Sequence, residues 1–160
     1  MSDIRYVVGD ATDPAGTGVR IVAHICNDTG GWGRGFVLAR SRRWRQPEAE
    51  YRRWHRGRAA NDFGLGALQI VPVHPDVRVA NMVAQHGIRS AARPTAVPLR
   101  YDALAQCLTA LAEHAVRLKA SVHLPRIGTG LAGGTWDRIE PLIQQHLADR
   151  EISVTVYDLS

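Results

Sequence analysis

Short apolar runs of strand length alternate along the chain with segments whose apolar residues recur at helical spacing. The run Val19–Cys26 is mostly apolar and rich in β-branched residues, which predicts a strand covered on both faces. The clearest helix has apolar residues three or four positions apart, in one stripe that faces a core. The residues of this stripe are Leu104, Leu108, Leu111, Ala115 and Leu118.

The remaining elements complete an order in which strands alternate with helices. The other predicted strands are Ile4–Val8, Ala67–Val73, Val77–Ala84, Ser121–Pro125 and Ile152–Tyr157. The other predicted helices are Phe36–Trp44, one that begins near Pro47, and one that carries Ile139, Leu142, Ile143 and Leu147. Residues 74–76 are short enough for a hairpin. This order predicts one α/β domain over residues 1–160, with a mixed, mostly parallel sheet and helices on both faces.

Two glycine-rich loops follow predicted parallel strands and run into helices. The first contains Gly30, Gly31, Gly33 and Gly35, and the second contains Gly128, Gly130, Gly133 and Gly134. Ligands of open α/β sheets bind at this edge, and glycine lets backbone N–H groups approach an anion. The pair suits a pyrophosphate with a sugar at each end, although such glycines can also simply make tight turns.

The second loop also matches G-x-G-x-x-G over residues 128–133. Only one predicted strand follows it, which leaves no room for half of a dinucleotide-binding fold. No Gly-Lys-Ser/Thr follows either, so hydrolysis of a nucleoside triphosphate is not expected.

The net charge is +5, and nine arginines lie between Arg34 and Arg58. Such a run can give weak contact with a polyanion or nucleic acid, or it can be a solvated helical face, helped by Glu48 and Glu50. Cys26 and Cys107 have no metal-ligand spacing, and no metal or cofactor is implied. With no signal peptide or membrane-length apolar run in the sequence, a cytoplasmic location is expected.

Three segments resemble the macrodomain family. They are Gly9-Asp10-Ala11-Thr12, then Val22-Ala23-His24-Ile25-Cys26-Asn27 with its glycine loop, and Pro125-Arg126-Ile127-Gly128-Thr129-Gly130-Leu131 followed by Trp136. The third resembles the branch that contains the terminal ADP-ribose protein glycohydrolases and the macrodomain of a chromatin remodeller. The resemblance implies a three-layer α/β/α fold, ADP-ribose or an ADP-ribosylated protein as partner, and hydrolysis of ADP-ribosyl esters by many members.

The same resemblance implies a set of ligand-binding residues. Asp10 would accept a hydrogen bond from the adenine amino group, or it could serve only an Asx-type turn. Asn27 would lie near the distal ribose, or it could serve as a loop cap. The implied ligand-binding residues are Gly9, Asp10, Ala11, Asn27, Gly31, Trp32, Gly33, Gly35, Arg126, Ile127, Gly128, Thr129, Gly130, Leu131, Ala132 and Gly133.

The chain departs from the glycohydrolase branch at its reacting groups. Gln85 stands where the branch has an attacking lysine, and Ala132 stands where it has an assisting aspartate. Glutamine cannot form a Schiff base, so a covalent lysine mechanism is unavailable. We therefore expect a water-mediated route with Asn27 and Gln85 as the catalytic candidates and the ligand's phosphate as base. A non-catalytic reader of ADP-ribose and a nucleic-acid-binding protein are the alternatives. Asp28 and Asp137 are candidate carboxylates, although Asp137 can instead serve the first turn of its helix. His24 and His86 lie near the right loops, although a lone histidine is more often structural.

Overall fold

Six strands form one sheet in the order β1-β6-β5-β2-β4-β3. The computed structural model describes residues 3–32, 42–87, 95 and 97–159. The strands are β1 Arg5–Val8, β2 Arg20–Asn27, β3 Leu68–His74, β4 Val77–Gln85, β5 Ser121–Pro125 and β6 Val154–Asp158. Neighbouring strands are parallel except β3 and β4, which form the antiparallel hairpin. The predicted mixed, mostly parallel sheet is therefore confirmed.

Helices cover both faces of the sheet. Successive side chains of a central strand point to opposite faces, and the side chains on both faces are buried. The helices are α1 Gln46–Arg56, α2 Tyr101–Leu118 and α3 Trp136–His146. On one face, Met82 of β4 lies in the large core formed with α2 and α3. On the other face, Val83 packs in a cluster with Tyr51 and Trp54 of α1. This gives the three layers of an α/β/α fold.

Most element boundaries differ from the sequence prediction by only one or two residues. Strand Ser121–Pro125 has the predicted limits, and a proline at the first turn of α1 confirms that Pro47 begins a helix. Helix α3 ends at His146, so Leu147 is buried just beyond it. The predicted helix Phe36–Trp44 falls largely on residues 33–41, which lie outside the described residues. None of the described helices is long and apolar enough to cross a membrane.

The parallel arrangement brings the ends of several strands to one edge. Strands β1, β6, β5, β2 and β4 all run the same way, so the segments that follow their carboxyl ends lie side by side. The loops after β5 and β2 are immediate neighbours. The predicted ligand residues that the structure describes lie at or after these strand ends.

Candidate functional site

The loop after β5 is tightly folded around glycines that lack room for a side chain. A Cβ added at Gly134 would lie 2.3 Å from Leu99 Cδ2 and 2.6 Å from the carbonyl oxygen of Gly128. The Gly134 N–H also donates to that oxygen at 2.8 Å, which closes the loop on itself. Gly128 has a positive φ of 77° and faces Ile139 and Leu99. These two glycines therefore allow close packing of the loop onto the core.

The outer part of the same loop has space around it. Gly130 has a φ of 67°, is exposed, and would place a Cβ in open space. Within the described part of the chain, no hydrogen bond occupies the backbone N–H of Gly128 or Thr129. The Thr129 hydroxyl donates to the Arg126 carbonyl at 2.8 Å and steadies the turn. The arrangement leaves backbone donors for an anion at the position where the sequence predicts phosphate binding.

The loop after β2 is organised by the buried side chain of Asn27. Its Oδ1 accepts hydrogen bonds from the Thr29 N–H at 2.9 Å and from the Thr29 hydroxyl at 2.8 Å. Its Nδ2 donates to the Gly31 carbonyl at 2.9 Å. Asn27 thus caps the loop, which was the alternative interpretation of this residue. The amide has a second N–H bond that the cap does not require.

Tyr51 of α1 supports this loop through hydrogen bonds of its hydroxyl. Its hydroxyl lies 2.7 Å from the Asn27 carbonyl oxygen and 2.8 Å from Oδ1, and it accepts from the Gly30 N–H at 3.1 Å. Burial raises the pKa of the hydroxyl, so it remains a donor. Trp32 packs against the Tyr51 ring, with 5.5 Å between centroids. The predicted residues Gly33 and Gly35 lie outside the described residues.

Asp10 follows the carboxyl end of β1 and forms an Asx-type turn. Its Oδ1 accepts from the Thr12 N–H at 2.8 Å and from the Thr12 hydroxyl at 2.7 Å. Asp10 is exposed, whereas Ala11 beside it is buried. The turn fixes one carboxyl oxygen of Asp10. From the strand order, β1 lies three spacings from β2, or about 14 Å.

Tyr6 of β1 and Trp136 of α3 form an aromatic cluster around Arg126 that the sequence did not predict. The Arg126 guanidinium lies 5.1 Å from the ring centre of Tyr6 and 5.2 Å from that of Trp136. Asp158 accepts two hydrogen bonds from Arg126, at 2.7 and 3.1 Å. These bonds lower the pKa of the Asp158 carboxyl. Tyr6 and Trp136 are 130 positions apart, so no local pattern could have paired them.

The two positions that depart from the glycohydrolase branch lie at the carboxyl end of β4 and in the loop after β5. Gln85 ends β4 and donates from Nε2 to the Gly87 carbonyl at 2.9 Å. Ala132 is buried, and its carbonyl accepts from the Leu99 N–H at 3.0 Å. Lys119 follows α2 just before β5, at the opposite edge of the sheet.

The metal-binding and polyanion-binding sites that the sequence raised for consideration can be compared with the described residues. Within residues 3–32, 42–87, 95 and 97–159, no three His, Cys, Asp or Glu side chains are grouped to hold a metal ion. Arg52 pairs with Glu48 at 2.9 Å and Arg53 with Glu50 at 2.9 Å, both on α1. These pairs favour a solvated helical face for this part of the arginine run.

No protein-family model matches the chain. It is similar to a macrodomain protein from Streptomyces coelicolor, with 60% identity, a TM-score of 0.86 and coverage of 98% of this chain and 99% of that one. It is also similar to a Bacteroides thetaiotaomicron protein of unknown function, with 51% identity, a TM-score of 0.92 and 99% coverage of both. Thermosipho africanus DarTG in complex with ADP-ribose shares the fold, at 15% identity and a TM-score of 0.75 over 98% of this chain and 42% of that one.

A curated relative is a much longer protein. Chromodomain-helicase-DNA-binding protein 1-like of Danio rerio is 36% identical over 163 residues, which cover 96% of this chain and 15% of that protein. Helices on both faces of one sheet define an α/β/α fold, with two glycine-containing loops side by side at one edge of the sheet. The chain belongs to the macrodomain family, as the match to the Streptomyces coelicolor protein over nearly its whole length shows.

Proposed function

We propose that this chain binds ADP-ribose along the carboxyl ends of β1, β5 and β2 and removes it from acidic protein side chains. The observation that carries the proposal is the adjacency of the two glycine loops, which follows from the direct pairing of β2 with β5. The N–H groups of Gly128 and Thr129 are available to a pyrophosphate there. A related fold, that of DarTG, is known in complex with ADP-ribose.

The two ends of the ligand have different environments. At the β1 end, the carboxyl oxygen of Asp10 that the Asx turn does not use accepts from the adenine amino group. At the β2 end, Asn27 and the loop it caps border the distal ribose. A long ligand with a base at one end and a sugar at the other fits this order.

The proposed reaction is a water-mediated hydrolysis without a covalent intermediate. The only lysine, Lys119, is at the opposite edge of the sheet, so no amine is available to attack the ribose. The second N–H of Asn27 orients the water, and Gln85 lines the end of β4. Such positioning can accelerate the cleavage of an already labile anomeric ester. Because Cys26 and Cys107 are buried and outside any disulfide, we place this activity in the reducing cytoplasm.

A non-catalytic reader of ADP-ribosylated proteins is the second candidate. It is favoured by Gln85 and Ala132, which occupy the positions of the reacting lysine and aspartate of the glycohydrolase branch. A reader needs the crevice but none of the groups that move protons.

Release of ADP-ribose from a defined substrate separates the two candidates. The purified chain is incubated with protein ADP-ribosylated on glutamate, and free ADP-ribose is counted against a no-enzyme control. A parallel reaction uses a serine-linked substrate, whose leaving group is a poorer alkoxide. Release from glutamate supports the hydrolase. Tight binding of ADP-ribose without release assigns the chain to the readers.

A further inference from the structure

Asp28 and His86 form an ordered pair beside the crevice. His86 Nδ1 lies 2.6 Å from Asp28 Oδ2, and the Gly87 N–H donates to Asp28 Oδ1 at 2.9 Å. Burial opposes ionisation of Asp28, but the hydrogen bonds from Gly87 and His86 hold its pKa below its ordinary value. The carboxylate is therefore anchored by the backbone through one oxygen and orients the imidazole through the other.

The strand register places this pair at the ribose end of the proposed site. Asn27 of β2 is paired with Gln85 of β4, so the next residue of each strand is Asp28 on one side and His86 on the other. Strand β4 lies four spacings from β1, or about 19 Å. The pair is thus at the far end of the crevice from Asp10.

The exposure of the two side chains differs in a way that suits acid–base chemistry. The Asp28 side chain is 17% exposed, whereas the His86 side chain is 61% exposed. A carboxylate at Nδ1 favours the tautomer that carries its proton there, which leaves Nε2 as a proton acceptor. The hydrogen bond from the Gly87 N–H to Asp28 already links the two loops, so a purely structural link would not need the His86 imidazole.

We propose that Asp28 and His86 form the acid–base unit of the hydrolysis, with His86 Nε2 as general base and Asp28 as the positioning residue. This inference rests on the proposed hydrolase function. A water attacks the anomeric carbon of the distal ribose while Nε2 takes one of its protons. The bond from that carbon to the ester oxygen breaks, and the protein side chain leaves as a carboxylate with the electron pair. His86 then returns the proton to solvent, and free ADP-ribose is the product.

The test compares His86→Ala and Asp28→Asn with the matched control His146→Gln, at the far end of α3. Release of ADP-ribose from glutamate-modified protein and the Kd for ADP-ribose are measured for each variant. We expect kcat of His86→Ala to fall by roughly 100-fold or more, with Kd unchanged, and added imidazole to restore part of it. Asp28→Asn should lower kcat without changing Kd. His146→Gln should behave as the wild type.

The outcomes separate this inference from the function on which it rests. Wild-type turnover that is retained in His86→Ala overturns the inference and leaves the hydrolase standing. Wild-type binding of ADP-ribose with no release overturns both. If His86→Ala lowers kcat and also raises the Kd for ADP-ribose, and imidazole does not restore turnover, the general-base role of His86 is overturned.

Discussion

The buried hydroxyl of Tyr51 supports the loop after β2 through hydrogen bonds with Asn27 and Gly30. Tyr51→Phe removes this hydroxyl and keeps the ring, which packs 5.5 Å from Trp32 and 5.9 Å from Phe63 between centroids. The change therefore isolates the hydrogen bonds to Asn27 and Gly30 from the packing around them.

The hydroxyl makes one donated and one accepted hydrogen bond at a time. Its single proton goes to either the carbonyl or the Oδ1 of Asn27, and the Gly30 N–H donates to it. At a net 0.5–1.5 kcal/mol for each bond, the free energy of unfolding should fall by about 1–3 kcal/mol. Tyr51 is fully buried, so water does not replace the missing group without a further rearrangement.

Urea unfolding of Tyr51→Phe and of the control Tyr101→Phe checks this magnitude. The Tyr101 hydroxyl also accepts from a backbone N–H, that of Thr135 at 3.1 Å, but at the surface. We expect its loss to change stability by no more than about 0.5 kcal/mol. Calorimetry should also show weaker ADP-ribose binding in Tyr51→Phe, because the loop is less preorganised. Equal stability of the two variants would refute the supporting role of Tyr51.

Three further predictions concern other parts of the molecule. Asp10→Ala should weaken ADP-ribose binding by about 1.5–3 kcal/mol in calorimetry. If the wild type binds ADP-ribose and IDP-ribose with equal affinity, Asp10 does not recognise the base. Burial, with the charges of Arg20 and Arg5, lowers the pKa of His123 from 6.5 to about 4. Stability should therefore be complete above pH 6.5 and fall towards pH 4, and urea unfolding of His123→Gln should show a weaker fall. Borohydride added during turnover should leave the protein mass unchanged, because Lys119 is remote, and a stable adduct would contradict the water-mediated route.

The alternation of apolar runs was sufficient to predict the sheet and the edge at which the carboxyl ends of its parallel strands meet. Strand β5 has the predicted limits, and the hairpin between β3 and β4 lies where residues 74–76 indicated it. The adjacency of the two glycine loops was also expected, since both follow parallel strands. These features depend on local periodicity and on general rules of α/β connection.

The side-chain pairs at the site could not be read from the sequence in the same way. Asp28 and His86 were noticed as single residues, but they are 58 positions apart and meet only through the register of β2 with β4. The close packing at Gly128 and Gly134 depends on Leu99, which approaches the loop from another segment of the chain. Long-range packing, and not local propensity, determines these contacts.

The central claim is that the loop after β5 holds the pyrophosphate of ADP-ribose, and calorimetry of Gly130→Glu tests it most directly. Gly18→Glu is the matched control, since Gly18 also has a positive φ, of 76°, and open space, but it precedes β2 at the opposite edge of the sheet. Both variants add the same charge and the same backbone strain. The account predicts that Gly130→Glu abolishes ADP-ribose binding while Gly18→Glu retains the wild-type Kd. Undiminished affinity in a folded Gly130→Glu protein would contradict it.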